Sequence, residues 1–152
     1  MKRTKILLRI AAILMVIHLI GHTIGHSRWK KPNDPAQLAV VSEMTGPKFL
    51  FMGVNRSMGE YFDGYSIGCS IGMLVFILVL WSVSSELNTS SRLVKKTMIS
   101  VAVCLFAWGI DEILFFFPFA AGFSLIAFVC TMAAYFSYKT DYMNVREAST
   151  SN

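Results

Sequence analysis

Three histidines recur at four-residue intervals in the apolar N-terminal stretch, and they are the groups best suited to chemistry. His18, His22 and His26 lie within residues 6–27 and are all the histidines of the chain. Each step of four residues advances about 40° around a helix, so the three rings share one face. Imidazoles in a segment long enough to cross a bilayer are costly unless they find partners. The sequence therefore predicts that this face meets polar groups from another helix.

Carboxylates in two later apolar segments are the candidate partners: Glu60, Asp63, Asp111 and Glu112. At about 1.5 Å of rise per residue, these acids and the histidines reach the same outer half of a membrane if both chain termini lie inside. The adjacent pair at 111 and 112 points about 100° apart, so at most one of them faces a given partner. We predict a ligand-binding polar site built from His18, His22 and one or more of these acids.

A divalent transition metal is one ligand that this pattern suits. His18 with His22, or His22 with His26, has the i, i+4 spacing that chelates one ion from a single helix. His18 and His26 are about 12 Å apart along the helix, so the three histidines cannot all bind the same ion. A carboxylate would complete a site for zinc, iron or manganese. Neither HExxH nor the Glu-x-x-His element of di-iron bundles occurs. Haem is disfavoured because its two axial histidines come from opposite sides of the ring, whereas all the histidines here lie on one helix.

Two other interpretations stay open. His22 and a carboxylate could exchange protons with a lipid-soluble small molecule, in an apolar pocket walled by Trp108 and residues 115–117. Alternatively, the polar groups only hold the helices in register, as in a non-enzymatic scaffold or complex subunit that binds a membrane protein partner or a second copy. The sequence does not decide whether the protein is an enzyme.

Composition predicts the fold class, an all-α polytopic membrane four-helix bundle. Hydrophobic residues make up 55% of the 152-residue chain and the mean hydropathy is +0.56, which is typical of a membrane protein. We predict one transmembrane domain over residues 1–152. Its spans cover about 5–27, 60–85, 97–117 and 123–138, joined by an outer loop at 28–59 and followed by a flexible tail at 139–152. Pro118 is expected to end or kink the third span, with a turn over 119–122.

The first loop carries a further helix signal. Asp34 has the form of an N-cap, Pro35 suits the first helical position and Gln37 stands three residues past the cap, while Gly46 precedes a proline that stops the helix. This predicts a short extra helix at about 35–45. Residues 48–58 are apolar with two charges, a composition that fits an interfacial segment.

Glycines at four-residue spacing predict a close contact between the first two spans. Gly21 and Gly25 on the first span complement Gly64, Gly68 and Gly72 on the second. Such small residues let two helix backbones approach closely in a membrane.

The distribution of positive charge predicts the orientation and excludes nucleic acid as a partner. The N-terminus, the 86–97 loop and the tail hold nine Lys and Arg residues, against five in the first connection. The excess favours a multi-pass protein of the cell membrane with cytoplasmic N and C termini. The net charge of +5 forms no basic patch interleaved with aromatics, so the lipid bilayer is the expected partner.

The arrangement of a first span carrying HLIGHTIGH, a long outer loop and three more spans resembles small bacterial four-helix membrane proteins of the broad DoxX-like group. The residues that carry the resemblance are His18, Gly21, His22, Gly25 and His26. The resemblance implies the four-span architecture and the loop after the first helix. It implies no activity and no functional residue.

Overall fold

Helices form most of the chain in the computed structural model, which describes residues 1–87 and 91–150. The described residues form, in order, α1 (Lys2–Arg28), α2 (Pro35–Thr45), β1 (Phe49–Phe51), β2 (Val54–Arg56), α3 (Met58–Ser85), α4 (Ser91–Phe115) and α5 (Pro118–Thr150). The all-α class is confirmed. In the described part of the chain four helices are long and apolar enough to cross a membrane, namely α1, α3, α4 and α5.

The ends of the last two long helices differ from the predicted bounds. Pro118 opens α5 rather than ending α4, which already stops at Phe115. Proline suits a first helical turn because it lacks the N–H that would have no partner there and its φ is already helical. Residues 119–122 therefore belong to a helix and not to a turn. The helix α5 also continues to Thr150, so the backbone at 139–150 is helical, in a stretch without glycine or proline to interrupt it.

The short helix α2 begins as its sequence predicts. Asp34 is the N-cap, and its Oδ1 accepts hydrogen bonds from the backbone N–H groups of Ala36 at 2.7 Å and Gln37 at 3.3 Å. Pro35 occupies the first position and Gly46 caps the other end through its N–H to the Ser42 carbonyl. These contacts satisfy backbone groups that a helix of this length would otherwise leave unpaired.

The chain divides into two compact units. Unit 1 comprises Met1–His18 and Met73–Asn152, and unit 2 comprises Leu19–Gly72. In unit 1 the core is made of small and apolar side chains, and its most extensive helix contact joins α4 to α5. Over residues 118–140 of α5, the buried residues are mostly small, and from Ala121 onward they recur every three or four positions: Ala120, Ala121, Ser124, Ala127, Thr131, Ala134 and Tyr138.

The predicted glycine contact of the first two spans is wrong at the glycines for which the surroundings are described. A Cβ added at Gly21, Gly25, Gly64 or Gly68 would meet no described atom within 4 Å. Other glycines have close neighbours: a Cβ on Gly109 of α4 would come within 2.6 Å of Leu125 Cδ2 on α5 in unit 1, and a Cβ on Gly59 at the start of α3 would come within 2.8 Å of Thr45 Cγ2 in unit 2. Glycine is common in membrane helices for several reasons, so its spacing alone does not identify the packed pair.

Unit 2 contains a small hairpin between α2 and α3. Strand β1 pairs antiparallel with β2, with Phe49 opposite Arg56 and Phe51 opposite Val54. Met52 and Gly53 form the two-residue turn with φ of 48° and 83°, values that match a type I′ turn. The sequence does not signal this hairpin, because such turns usually carry Asn-Gly or Asp-Gly and this one carries Met-Gly.

Candidate functional site

A buried imidazole–carboxylate pair forms the centre of unit 1. His18 Nε2 of α1 lies 3.0 Å from Glu112 Oε1 of α4, and the two residues are only 6% and 4% exposed. Trp108 Nε1 donates a hydrogen bond to the same Oε1 at 3.0 Å, and the hydroxyl of Ser124 on α5 donates to Oε2 at 2.7 Å. Three helices therefore contribute to the surroundings of one carboxylate, which accepts hydrogen bonds from Trp108 and Ser124 and contacts the imidazole of His18.

The neighbouring acid takes no part in this cluster. Asp111 is exposed, whereas Glu112 is buried one position later on the same helix. Adjacent helix positions point about 100° apart, so only one of the two can face the interior. The sequence-based expectation that at most one acid would meet the histidine face is met by Glu112.

The hydrogen bonds restrict where the protons lie. The Ser124 hydroxyl donates to Glu112 Oε2, and Ser124 Oγ also lies 3.4 Å from His18 Nδ1. A proton between His18 Nε2 and Glu112 Oε1 makes their 3.0 Å contact a hydrogen bond, whether nitrogen or oxygen carries it. This contact limits the cost of burying the two groups.

Aromatic rings connect this pair to the surface of unit 1. The His18 ring packs 5.7 Å from the ring of Phe123, which in turn meets Phe119 edge-on at 5.3 Å. Phe119 is 76% exposed. On the other side, Trp108 contacts Phe76 edge-on at 5.6 Å. Of the predicted aromatic wall, Trp108 lies at the site, whereas Phe115, Phe116 and Phe117 are exposed.

His22 has a different kind of partner, within unit 2. Its Nε2 lies 3.0 Å from the backbone carbonyl oxygen of Ser66 on α3 and 3.1 Å from the Ser66 hydroxyl. The same carbonyl accepts a hydrogen bond from Ser70 Oγ at 3.1 Å. A carbonyl oxygen only accepts, so this contact uses a protonated Nε2. In the described contacts His22 meets backbone and hydroxyl groups rather than a carboxylate.

In unit 2, Asp63 of α3 contacts several polar groups at and just after the end of α1. Its Oδ1 accepts from Trp29 Nε1 at 2.9 Å and lies 3.9 Å from His26 Nε2, while Oδ2 pairs with Lys30 Nζ at 2.5 Å. The Asp63 side chain is 26% exposed and that of Lys30 is 50% exposed. Water therefore reaches this cluster, unlike the cluster around Glu112.

Glu60 acts as part of a helix cap. Its Oε2 accepts from the Ser57 backbone N–H at 2.8 Å, and its own N–H donates to Ser57 Oγ at 3.2 Å. This reciprocal arrangement is a capping box at the start of α3, visible in the sequence as Ser-x-x-Glu. Glu60 also forms ion pairs with Arg56 at 3.3 Å and Lys48 at 3.8 Å. An open cleft of about 320 Å³ lies beside it, lined by Arg56, Glu60, Tyr61, Gly64 and Tyr65.

Among the described contacts, the three histidines share no common partner. No group of three or more His, Cys, Asp or Glu side chains close enough to hold a metal ion occurs among the described residues. His18 and Glu112 supply two potential ligands in unit 1, and Ser124 and Trp108 fill the remaining polar contacts of the carboxylate. This donor set is poor in metal ligands, because an indole N–H cannot coordinate.

Two members of the buried cluster are not among the predicted site residues. Ser124 stands at a position of α5 that carries small residues every three or four places, and nothing in its local sequence separates it from packing serines. Trp108 is predicted as an apolar wall, yet it donates a hydrogen bond. The spacing Trp-x-x-x-Glu, which places both side chains on one helix face, was the available signal for that contact.

Comparison of the chain with protein-family models, with curated proteins and with solved structures finds no match.

Proposed function

We propose that this chain is a multi-pass protein of the cell membrane that binds a lipid-soluble small molecule at the His18–Glu112 pair. Both termini would be cytoplasmic, and the pair would lie in the outer half of the bundle. The observation that carries the proposal is the burial of an imidazole and a carboxylate in direct contact at 3.0 Å within two apolar helices. Ionisable groups inside membrane segments are expensive and are functional candidates for that reason.

The cost of this cluster favours a binding role over a purely mechanical one. Well-packed apolar residues stabilise a core at least as well as a buried ion pair of similar volume. Polar contacts between membrane helices contribute only about 0.6 kcal/mol on average. A cluster of four polar side chains in a dry core is therefore a poor way to gain stability alone, whereas it is well suited to recognising a polar group.

The surroundings of the pair indicate the class of ligand. A proton that can sit on either Nε2 or Oε1 allows the pair to donate to a carbonyl or to accept from a hydroxyl. The rings of Phe123 and Phe119 lead from His18 to the surface of unit 1, and they offer an apolar wall for a hydrophobic body. The ligand that fits is a hydrophobic molecule with one hydroxyl or carbonyl head group.

The test compares neighbouring isosteric variants. Purified protein with Glu112→Gln loses the shared proton and keeps the shape, whereas Asp111→Asn changes an exposed acid on the same helix. Organic extraction followed by mass spectrometry is expected to find one lipid-soluble compound that co-purifies with wild type and with Asp111→Asn and is depleted in Glu112→Gln. Equal recovery of every extracted compound from the three proteins would contradict the proposal.

A metal version of the site has its own measurement. Elemental analysis of protein purified without chelators is expected to show no stoichiometric zinc, iron or manganese, because His18 and Glu112 supply only two of the ligands that such an ion needs. A stoichiometric metal that is lost in His18→Ala and retained in His22→Ala would replace the lipid-soluble ligand with a metal ion.

A scaffold or complex subunit is the second candidate. It is favoured by one observation: the hydrogen-bonding atoms of His18, Trp108, Glu112 and Ser124 satisfy one another across α1, α4 and α5. Such a cluster would set the register of three helices. In that case Glu112→Gln would lower stability while the extracted compounds stay unchanged. The resemblance to DoxX-like proteins remains a prediction and favours neither candidate.

A further inference from the structure

The hairpin of unit 2 exposes an apolar surface of a kind that a water-facing loop seldom carries. Leu50 is 75% exposed and Met52 is 88% exposed, and Phe51 between them is 53% exposed. A two-stranded hairpin is marginally stable alone in water. Contiguous apolar exposure of this kind marks a surface that contacts a protein or a membrane.

Met52, the first residue of the turn, has a backbone conformation that methionine rarely adopts. Met52 has a φ of 48°, in the left-handed region that favours glycine, asparagine and aspartate. Asparagine would form the same type I′ turn with less strain and would be polar. A methionine in this place puts a flexible apolar side chain at the tip of the hairpin, where unit 2 offers it no burial.

The hairpin is held beside the first turn of α3. Phe49 stacks on the ring of Tyr61 with centroids 5.9 Å apart, and Phe51 meets the same ring edge-on at 6.3 Å. Only Ser57 separates the end of β2 from the start of α3, one of the four helices apolar enough to cross a membrane. The face carrying Leu50 is turned away from Tyr61, because successive residues of a strand point to opposite sides.

Positive charge stands at the base of the hairpin. Lys48 precedes β1 and Arg56 ends β2, and both side chains are more than half exposed. The two cations share one carboxylate, that of Glu60, so this end of the hairpin keeps net positive charge. An apolar tip with basic residues behind it is the pattern of a segment that enters the boundary between lipid head groups and acyl chains.

We propose that residues 50–52 insert into the membrane interface beside the start of α3, with Lys48 and Arg56 facing lipid phosphates. The occupant of this surface is phospholipid, because the hairpin leads directly into α3 and carries cations on both sides of its apolar tip. The inference rests on the proposed membrane-spanning topology, and it assigns a role to a segment outside the His18–Glu112 site.

Nitroxide accessibility measures this insertion directly. Single cysteines replace Leu50, Met52, Asn33 and Ile71 in a chain whose three native cysteines are changed to serine. Each protein is spin-labelled and reconstituted into bilayers of phosphatidylcholine and phosphatidylglycerol. Oxygen concentrates in lipid and a nickel chelate stays in water, so their relative collision rates report depth. Asn33 lies in a polar bend and Ile71 is an exposed apolar residue of α3.

The ratio of collisions with oxygen to collisions with the nickel chelate is expected to be severalfold higher for labels at 50 and 52 than for the label at 33. The label at 71, as the lipid reference, should show the same high ratio. If 50 and 52 match 33 while 71 is in lipid, the insertion is wrong and the membrane-spanning proposal stands. If the label at 71 also collides mainly with the nickel chelate, α3 does not cross the membrane there. The membrane-spanning topology is then wrong, and the insertion is wrong with it. Spin–spin broadening between labels at 52 in two copies would replace phospholipid with a second chain.

A second measurement keeps the native cysteines, in case their removal prevents folding. Leu50→Trp and Asn33→Trp are compared for quenching of the added fluorescence by brominated phospholipids. Stronger quenching at 50 than at 33 supports insertion, and equal quenching overturns it.

Discussion

Glu112 in unit 1 and Asp63 in unit 2 make similar contacts in different surroundings. Each carboxylate accepts a hydrogen bond from a tryptophan indole, and each lies near a histidine. The side chain of Glu112 is 5% exposed and has a serine as its third partner, whereas the side chain of Asp63 is 26% exposed and pairs with a lysine. The two regions differ in water and in charge rather than in the types of group that meet.

This difference decides what each cluster can do. Around Asp63, solvent screens the charges, and the ion pair between Asp63 and Lys30 does not depend on a shared proton. Around Glu112, water is excluded, so a proton on the His18–Glu112 contact is held between two groups and each polar atom depends on the others. The buried cluster is therefore the one to which the proposed ligand recognition belongs, whereas the contacts of the partly exposed cluster join the end of α1 to α3.

Removing each carboxylate tests this contrast most strongly. Glu112→Ala leaves the His18 and Trp108 donors without their partner in a dry core, and we expect it to lower the free energy of unfolding by about 3–5 kcal/mol. Asp63→Ala removes a partly exposed ion pair, and we expect a loss within about 1 kcal/mol. Unfolding of both proteins in mixed micelles with a denaturing detergent measures the difference. Equal losses would remove the distinction between dry and wet clusters.

Glycine substitution gives a smaller contrast between the same two units. Gly109→Ala pushes a methyl group against Leu125 between α4 and α5, and we expect a loss of about 1–3 kcal/mol. Gly68→Ala meets open space and replaces a poor helix former, so stability should be unchanged or rise by up to about 1 kcal/mol. The same detergent titration checks both. A larger loss for Gly68→Ala would restore the glycine contact of the first two spans that the sequence predicts.

Local patterns in the sequence indicate the helices more clearly than they indicate which helices pair. Hydrophobic length identifies the long helices, and the Asp34-Pro35 start identifies α2, because these signals are local. Which helices touch depends on how small residues on two distant segments match. Gly68, which belongs to the predicted contact, faces open space, whereas Gly109, which belongs to no glycine pattern, packs against Leu125. Long-range packing is a property of both partners, so a pattern on one segment does not determine it.

The candidate site shows the same limit. His18 and Glu112 are both predicted site residues because ionisable groups in apolar segments need partners. The sequence gives equal standing to His22, which contacts Ser66, and to Glu60, whose carboxylate caps α3. Ser57 and Glu60 have the spacing of a capping box, a local signal that accounts for that acid without any ligand. Ser124 could be recognised only once α5 was known to lie against Glu112.

A double-mutant cycle on His18 and Glu112 is the most direct test of the buried pair. His18→Ala, Glu112→Ala and the double variant are unfolded under the same conditions, with a matched cycle on His26 and Asp63. We expect a coupling free energy of about 2 kcal/mol or more for the first pair and less than about 0.5 kcal/mol for the second. Additive losses at His18 and Glu112, with no more coupling than in the wet pair, would contradict it.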